Sequence, residues 1–511
     1  MESHFASSEW AVMTILTLIF LTLILKKLKN PTQNLPPGAW RLPIIGSMHH
    51  LIGCLPHQKM RDLAVKHGPI IHLKLGEVTN IVISSPEAAE KVLKTHGLIF
   101  SQRPQMSGAR CISYDYKDIT FSPYGDYWRQ LRKITTMELL AAKRVESFRS
   151  IRDEETSKLI ESILLVSCSE RCSGINLMKM ITSLTYCITS RAVYGKVLEG
   201  EDVFVTCLEK IMMELGRGIS IADAYPSMKW LERFSGINIR IEKLHQQLDE
   251  TVEGILSQHR SARLRKINGG DDSDQKEDLV DVLLNLQEKG DLQIPLTDDT
   301  IKALILDIFS AGVDTSAATL EWTMSELMKN PKIMEKAQRE IRERYNARGR
   351  VEESELHELK YLKLVIKESL RLHPPVPLLI PRECTESCVI DGYDIPVKSR
   401  IMVNAWAMGR DPKYWEDAEE FKPERFVDSS FDFRGSKFEY LPFGAGRRSC
   451  PGILFGLANV DLPLAKLLYH FDWKIADEVE PENLDMSEEI GITTKRKFNL
   501  CIIPTLYNPP C

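Results

Sequence analysis

The chain has 511 residues, 43% of them hydrophobic and 27% charged, with a formal net charge of −5. This is globular composition with ample apolar material for a large core, and the mild acidic balance gives no reason to propose nucleic acid as a partner. Eleven cysteines are sparse for a disulfide scaffold and odd in number, so reduced thiols in a cytosol-facing protein are the simpler reading.

The first element is "WAVMTILTLIFLTLIL", Trp10 to Leu25, a run without charge. As a helix it reaches roughly 24 Å, slightly less than the roughly 27 Å core of an endoplasmic reticulum bilayer. Trp10 suits one interface, and Lys26 and Lys27 snorkel at the other. A cleaved signal peptide would carry its positive charge before the run, whereas here Glu9 precedes it and "KKLK" follows. The expectation is a membrane anchor over residues 1–29, with everything after Lys26 on the cytosolic side. "PTQNLPPGAWRLPIIG" then reads as a stiff, proline-rich hinge over residues 30–46. Residues 47–511 read as one domain, mainly α with a minor β portion. "IIHLKLG" and "NIVIS", near residues 70–84, alternate as short strands. Most of the chain from Tyr127 to Leu327 reads helical, interrupted by a polar surface loop from Ala262 to Asp278. Short strands return between Cys388 and Trp406.

Within this outline "YGDYWRQLRK" places Trp128 and Arg132 on one helix face, able to grip an anion or simply to face solvent. "LTDDTIKALILDIFSAGVDTSAATLEWTMSELMKNP" predicts a helix of more than thirty residues. Thr297 is its N-cap, Asp298 and Asp299 occupy the dipole-favoured first turn, and Pro331 ends it. Its interior glycine, Gly312, costs about 1 kcal/mol relative to alanine. Either it packs closely against another helix or it opens a notch for a small ligand, with Asp314 and Thr315 alongside. "VIKESLRLHPPVP" sets Glu368 and Arg371 at i and i+3. Alone this is a surface ion pair; with Arg425 of "FKPERF" it can close a buried network.

"FGAGRRSCPG", Phe443 to Gly452, sets Cys450 after two arginines and among glycines. Neighbouring cations favour a thiolate, which points to a metal cofactor; an incidental surface cysteine is the alternative. Cys168/Cys172 and Cys384/Cys388 each have three residues between them, but no histidine-rich stretch completes a zinc set. "GAG" at Gly444 to Gly446 lacks the third glycine of a dinucleotide site. No NADPH or flavin motif appears.

The order of AGVDT, ExxR, PERF and F-x-x-G-x-R-x-C-x-G resembles the cytochrome P450 haem-thiolate monooxygenases across essentially the whole chain. The cysteine motif is complete as Phe443, Gly446, Arg448, Cys450 and Gly452. "WRLPIIGSMHHL", "SPYGDYWRQLRK" and "VIKESLRLHPPVPLLIPRE" are similar to plant microsomal members, particularly those oxidising terpenoids and terpene-derived alkaloids. The resemblance implies the cytochrome P450 fold, preceded by the N-terminal transmembrane helix, with residues 47–511 as the catalytic domain. It implies haem b, with Cys450 as the axial ligand of the iron and Trp128, Arg132, Arg382 and Arg448 on the propionates. Glu368, Arg371 and Arg425 would hold the cysteine loop, Gly312 would admit dioxygen, and Asp314 and Thr315 would deliver protons.

The implied activity is insertion of one atom of dioxygen into a lipophilic terpenoid, or alternatively a terpene-derived indole alkaloid. The implied partner is NADPH–cytochrome P450 reductase, and the implied place is the endoplasmic reticulum membrane. Arg129, Lys133, Lys143 and Arg144 are either its docking patch or an ordinary solvated face. "VPLLI", "IGITT", Leu304, Ile305 and Ile308 would line the substrate pocket. Two further readings are a haem-thiolate isomerase or dehydratase, which often lacks the acid–hydroxyl pair, and a non-catalytic haem-binding sensor or carrier.

Overall fold

The computed structural model describes residue 17 and residues 33–508, apart from 168–173, 199–200, 217–219, 229, 231–235, 268–276 and 490. The expected anchor, Thr17 aside, and the pair Cys168 and Cys172 lie outside the described residues. From Asn34 onward the proline-rich segment is seated on the domain: Asn34 N donates to Asp394 Oδ2 (2.8 Å) and Pro37 O accepts from His72 N (2.8 Å).

The architecture is mainly helical. The helices that frame the site are α1 (Asp126–Ile134), α2 (Leu177–Tyr194), α3 (Glu201–Gly216), α4 (Gly236–Ile267), α5 (Asp298–Lys329), α6 (Lys360–Leu372) and α7 (Ile453–His470). The largest sheet has four strands: β1 (Ile70–Leu75), β2 (Val78–Ile83), β3 (Arg382–Glu383) and β4 (Arg400–Val403). Their order is β1-β2-β4-β3, with β2 and β4 parallel and the other pairs antiparallel. The β1–β2 turn needs its glycine: Gly76 has φ 63°, and a Cβ there would stand 2.5 Å from Ala224 O. A small hairpin pairs β5 (Glu488–Glu489) with β6 (Lys495–Arg496).

α5 is the central beam. Thr297 Oγ1 accepts from Thr300 N (3.2 Å), and Asp298 and Asp299 occupy the first turn, as expected. The helix stops at Lys329; Pro331 lies beyond the cap and opens the next helix, Pro331–Tyr345, since proline tolerates a first-turn position. Two apolar clusters meet along α5. Leu320, Met324 and Leu327 join Leu362 and Val365 of α6 and Leu464 and Leu467 of α7. Leu304, Ile305 and Ile308 join Leu131 and Ile134 of α1 and Tyr186 of α2. Each such fully buried aliphatic side chain contributes about 1.5–3 kcal/mol. α5 is also the one helix among the described residues long and apolar enough to cross a membrane, yet most of its apolar stretch is buried in the domain. The loop expected from Ala262 begins later, because α4 continues through Ile267.

α6 carries Glu368 and Arg371 into the interior. Arg371 Nε and Nη2 donate to the two Glu368 oxygens, both at 2.7 Å, and Arg425 Nε donates to Oε1 at 2.9 Å. The remaining donors reach backbone carbonyls: Arg371 Nη1 to Gly409 O (2.5 Å) and Ala418 O (2.7 Å), Nη2 to Glu420 O (2.9 Å), and Arg425 Nη2 to Asp417 O (3.0 Å). Lys422 N also donates to Glu368 Oε1 (2.8 Å). The sequence allowed a surface pair or a buried network, and the structure is the latter. Glu368→Ala leaves two buried guanidiniums without their counter-charge. It is expected to destabilise the domain by about 3–5 kcal/mol, read as loss of folded holoprotein in denaturant titration. Exposed Lys360→Ala is the control, expected within about 0.5 kcal/mol of wild type.

Candidate active site

Cys450 sits between the short turn Gly446–Arg448 and the start of α7. Its N–H donates to Phe443 O (3.0 Å), and Gly452 N donates to its sulfur (3.3 Å). Gly446 has φ 71°, and a Cβ there would lie 2.1 Å from Leu93 O, so only glycine lets the loop descend this far. The two arginines before the cysteine do not act as the sequence suggested. Arg447 is exposed. Arg448 turns away to Ser101 O (2.9 Å), Ile119 O (3.3 Å) and Ser122 O (2.6 Å), its guanidinium 4.2 Å from the Trp128 ring. Burial therefore wins and pushes the Cys450 thiol up, opposed by the Gly452 N–H and by Arg132 from α1. A metal ion on the sulfur overrides this and deprotonates it outright.

The cavity over Cys450 is walled by Ile308, Ala311, Gly312 and Thr315 of α5, by Val376, Leu379 and Ile380, and by Phe455. Trp128, Arg132, Arg382 and Arg448 all line it. Arg132 Nη1 donates to Ser449 O (2.6 Å), and Arg382 Nη2 to Ala445 O (3.0 Å). Arg382 Nη1 is buried with no partner among the described residues, a donor left over for a carboxylate. Trp128 differs from its three companions, since its indole N–H is already given to Ile119 O (3.0 Å). One sulfur, apolar walls and clustered guanidiniums with a spare donor fit a flat, dianionic macrocycle whose metal takes a thiolate.

The expected relay residues are separated. Thr315 lines the cavity, its hydroxyl donating to Ala311 O (2.7 Å). Asp314 does not stand beside it there: its carboxylate pairs with Lys495 Nζ of β6 (2.6 Å) and lines a neighbouring cavity. Consecutive helical residues point about 100° apart, and here the Lys495 ion pair holds the Asp314 carboxylate on the other side of the helix edge from Thr315. Gly312 serves both readings it was given. It lines the cavity, and its missing Cβ would stand 3.1 Å from Phe455 and 3.4 Å from Thr189, the packing surfaces of α7 and α2. Of the expected pocket residues, Ile308 and, from the "VPLLI" segment, Val376, Leu379 and Ile380 line this cavity, while Leu378 packs against a separate core cluster. Leu304 and Ile305 pack into the core, and Gly491 to Thr493 line the cavity of Asp314.

Sequence reasoning missed Arg103 and Asp307, both lining the site. Asp307 had a readable signal, a lone acid in "LILDIF". Arg103, in "SQRPQ", had none.

The family description "Cytochrome P450" matches residues 36–502. Curated relatives include Cytochrome P450 71D445 of Euphorbia lathyris, 63% identical over 100% of this chain and 99% of its own. Premnaspirodiene oxygenase of Hyoscyamus muticus is 48% identical over 98% of each chain, and tabersonine 16-hydroxylase 2 of Catharanthus roseus 51% over 97% of each. A zebrafish cytochrome P450 solved with progesterone superimposes with TM-score 0.75 over 89% of this chain and 100% of that one, at 23% identity, a likeness of fold. The chain therefore belongs to the cytochrome P450 family, the monooxygenases that hold haem b on a cysteine thiolate.

Proposed function

We propose that this P450 oxidises a plant terpenoid at the endoplasmic reticulum membrane, with electrons from an NADPH-dependent reductase. The observation that carries the reading is the apolar cavity joining Cys450 to the middle of α5. Its Ile308, Val376, Leu379 and Phe455 walls suit a hydrocarbon body. An alkaloid is the second reading, resting on the likeness to tabersonine 16-hydroxylase 2. Spectral titration with a panel of terpenes and indole alkaloids separates the two.

Bound haem supplies activation of dioxygen, with thiolate electron donation favouring O–O cleavage. The chain's own residues hold and move the protons. The Thr315 hydroxyl donates a hydrogen bond to Ala311 O at rest; rotation about χ1 turns that O–H toward the cavity, where it donates, and its lone pairs accept hydrogen bonds from water. Asp314, tied to Lys495 in the neighbouring cavity, can reload that chain only after leaving its ion pair. Arg132, Arg382 and Arg448 orient the cofactor through its carboxylates, and Ile308, Val376 and Leu379 exclude water.

The membrane reading is supported by exposed apolar residues near the N-terminal end. Trp40, Ile44 and Ile221 are 63%, 80% and 63% exposed, and Tyr225 Oη donates to Ile44 O (3.4 Å), tying the two segments together. The reductase reading rests on the basic face around α1. Two of its four cations are matched, Arg129 by Asp126 and Arg144 by Glu277. Among the described residues no ion pair engages Lys133 or Lys143.

Cys450→Ser is expected to abolish the red-shifted absorption of the reduced, carbon-monoxide-bound protein; an unchanged spectrum would remove the ligand. Thr315→Ala is expected to keep haem content and substrate binding and to lower product per NADPH several-fold, with the balance recovered as hydrogen peroxide. Full coupling in that variant would send the proton route elsewhere. Lys133→Glu with Lys143→Glu is expected to slow reduction by the reductase, most at low ionic strength. Salt-independent, wild-type stopped-flow rates would discard the patch.

A further inference from the structure

Asp307 is a half-buried acid on α5 that the proton chemistry does not use. Its Oδ2 accepts from Ile119 N (3.2 Å) and Thr120 N (3.0 Å), and Thr120 Oγ1 donates to Oδ1 (2.7 Å). Among the described residues no ion pair engages it. Burial pushes its carboxyl up to about 6, opposed by the bonds from Thr120 and Ile119 and by nearby Arg103. Neighbouring Asp118 is driven higher, by burial and then by Asp307.

The carbonyls of the same two residues face the cofactor end. Ile119 O accepts from Trp128 Nε1 (3.0 Å) and Arg448 Nη1 (3.3 Å). Thr120 O accepts from Arg103 Nε (2.9 Å), whose Nη1 continues to Ile380 O (2.6 Å) and Pro381 O (2.8 Å), beside Arg382. Both N–H groups thus go to one carboxylate on α5, and both carbonyls go to residues lining the cofactor end of the cavity. Ile119 and Thr120 themselves line the cavity.

We propose that Asp307 is a positioning residue: it pins the Ile119–Thr120 segment to α5 and thereby sets both the cavity wall and the orientation of Trp128, Arg448 and Arg103. A tether of hydrogen bonds in a dry site holds geometry to a fraction of an ångström. The functional consequence rests on Cys450 holding the haem; the tether does not, so the two fail separately.

Hydrogen exchange of the full-length holoprotein, read by mass spectrometry, tests the tether. In Asp307→Ala, exchange across residues 117–124 is expected to accelerate roughly tenfold or more, with β1 and β2 unchanged. Asp307→Asn keeps a carbonyl oxygen for both N–H groups and an amide that donates to Thr120 Oγ1. It is expected to retain near-wild-type protection and near-wild-type spectral affinity for 1-phenylimidazole, which the alanine variant weakens several-fold. Should Asp307→Ala yield no holoprotein, Thr120→Val removes one leg and is expected to raise exchange across 117–124 by a smaller factor. Wild-type exchange in the alanine variant, or in Thr120→Val where the alanine variant does not fold, overturns the proposal. So does an asparagine variant that behaves as alanine does, because the carboxylate would then act as a charge and not as a paired acceptor.

Discussion

Everything around the cysteine depends on one carboxylate. Glu368 is buried with a guanidinium on each side, and the three groups leave a net positive charge in the interior. Carbonyls of the 409–420 segment absorb it, so that irregular backbone is bound in an arrangement that solvates both arginines. The effect reaches the cysteine loop through aromatic packing and through Tyr440, whose hydroxyl donates to Lys367 O (2.9 Å), one residue before Glu368. Helix α6, the 409–426 segment and the residues leading to Phe443 are thereby held together. Buried ion pairs add little net stability, but removing a member is costly, so the gain lies in fixed geometry.

The sulfur is treated in the opposite way. Glu368 is fully compensated, while Cys450 is left in surroundings that favour its neutral form, with one backbone N–H and one arginine working against burial. Cofactor binding must then expel a proton from the thiol. Metal affinity at such a site depends on pH and contributes to the folding free energy. The loop's shape is prepared in advance, by Gly446 and by the bond from Cys450 N to Phe443 O, whereas its charge arrives with the metal.

Much of this was legible in the residues. The N-cap and first-turn acids of α5, the i, i+3 placement of Glu368 and Arg371, and the common face of Trp128 and Arg132 follow from helical spacing alone. What spacing cannot give is the direction of a side chain relative to distant chain. Arg448 is two residues from the sulfur yet turns toward carbonyls of Ser101, Ile119 and Ser122, more than three hundred residues away in sequence. Asp314 and Thr315 are adjacent in the chain and occupy different cavities. Arg103 matters only because a loop and the 380–382 segment meet around it, a long-range fact with no local signature.

Gly312 is pressed from behind by Phe455 and Thr189 while its other side borders the cavity. A methyl group added there would stand 3.1 Å from the Phe455 ring, itself a cavity wall, and 3.4 Å from the Thr189 methyl, so both side chains would have to give way. Substitution at this position therefore trades stability for shape, with little chance of a clean change in selectivity. The Val376–Ile380 segment, outside the helices, borders the cavity without that constraint. Divergence of substrate preference among descendants of this chain has its open route there, along the rim, while the middle of the beam stays the same.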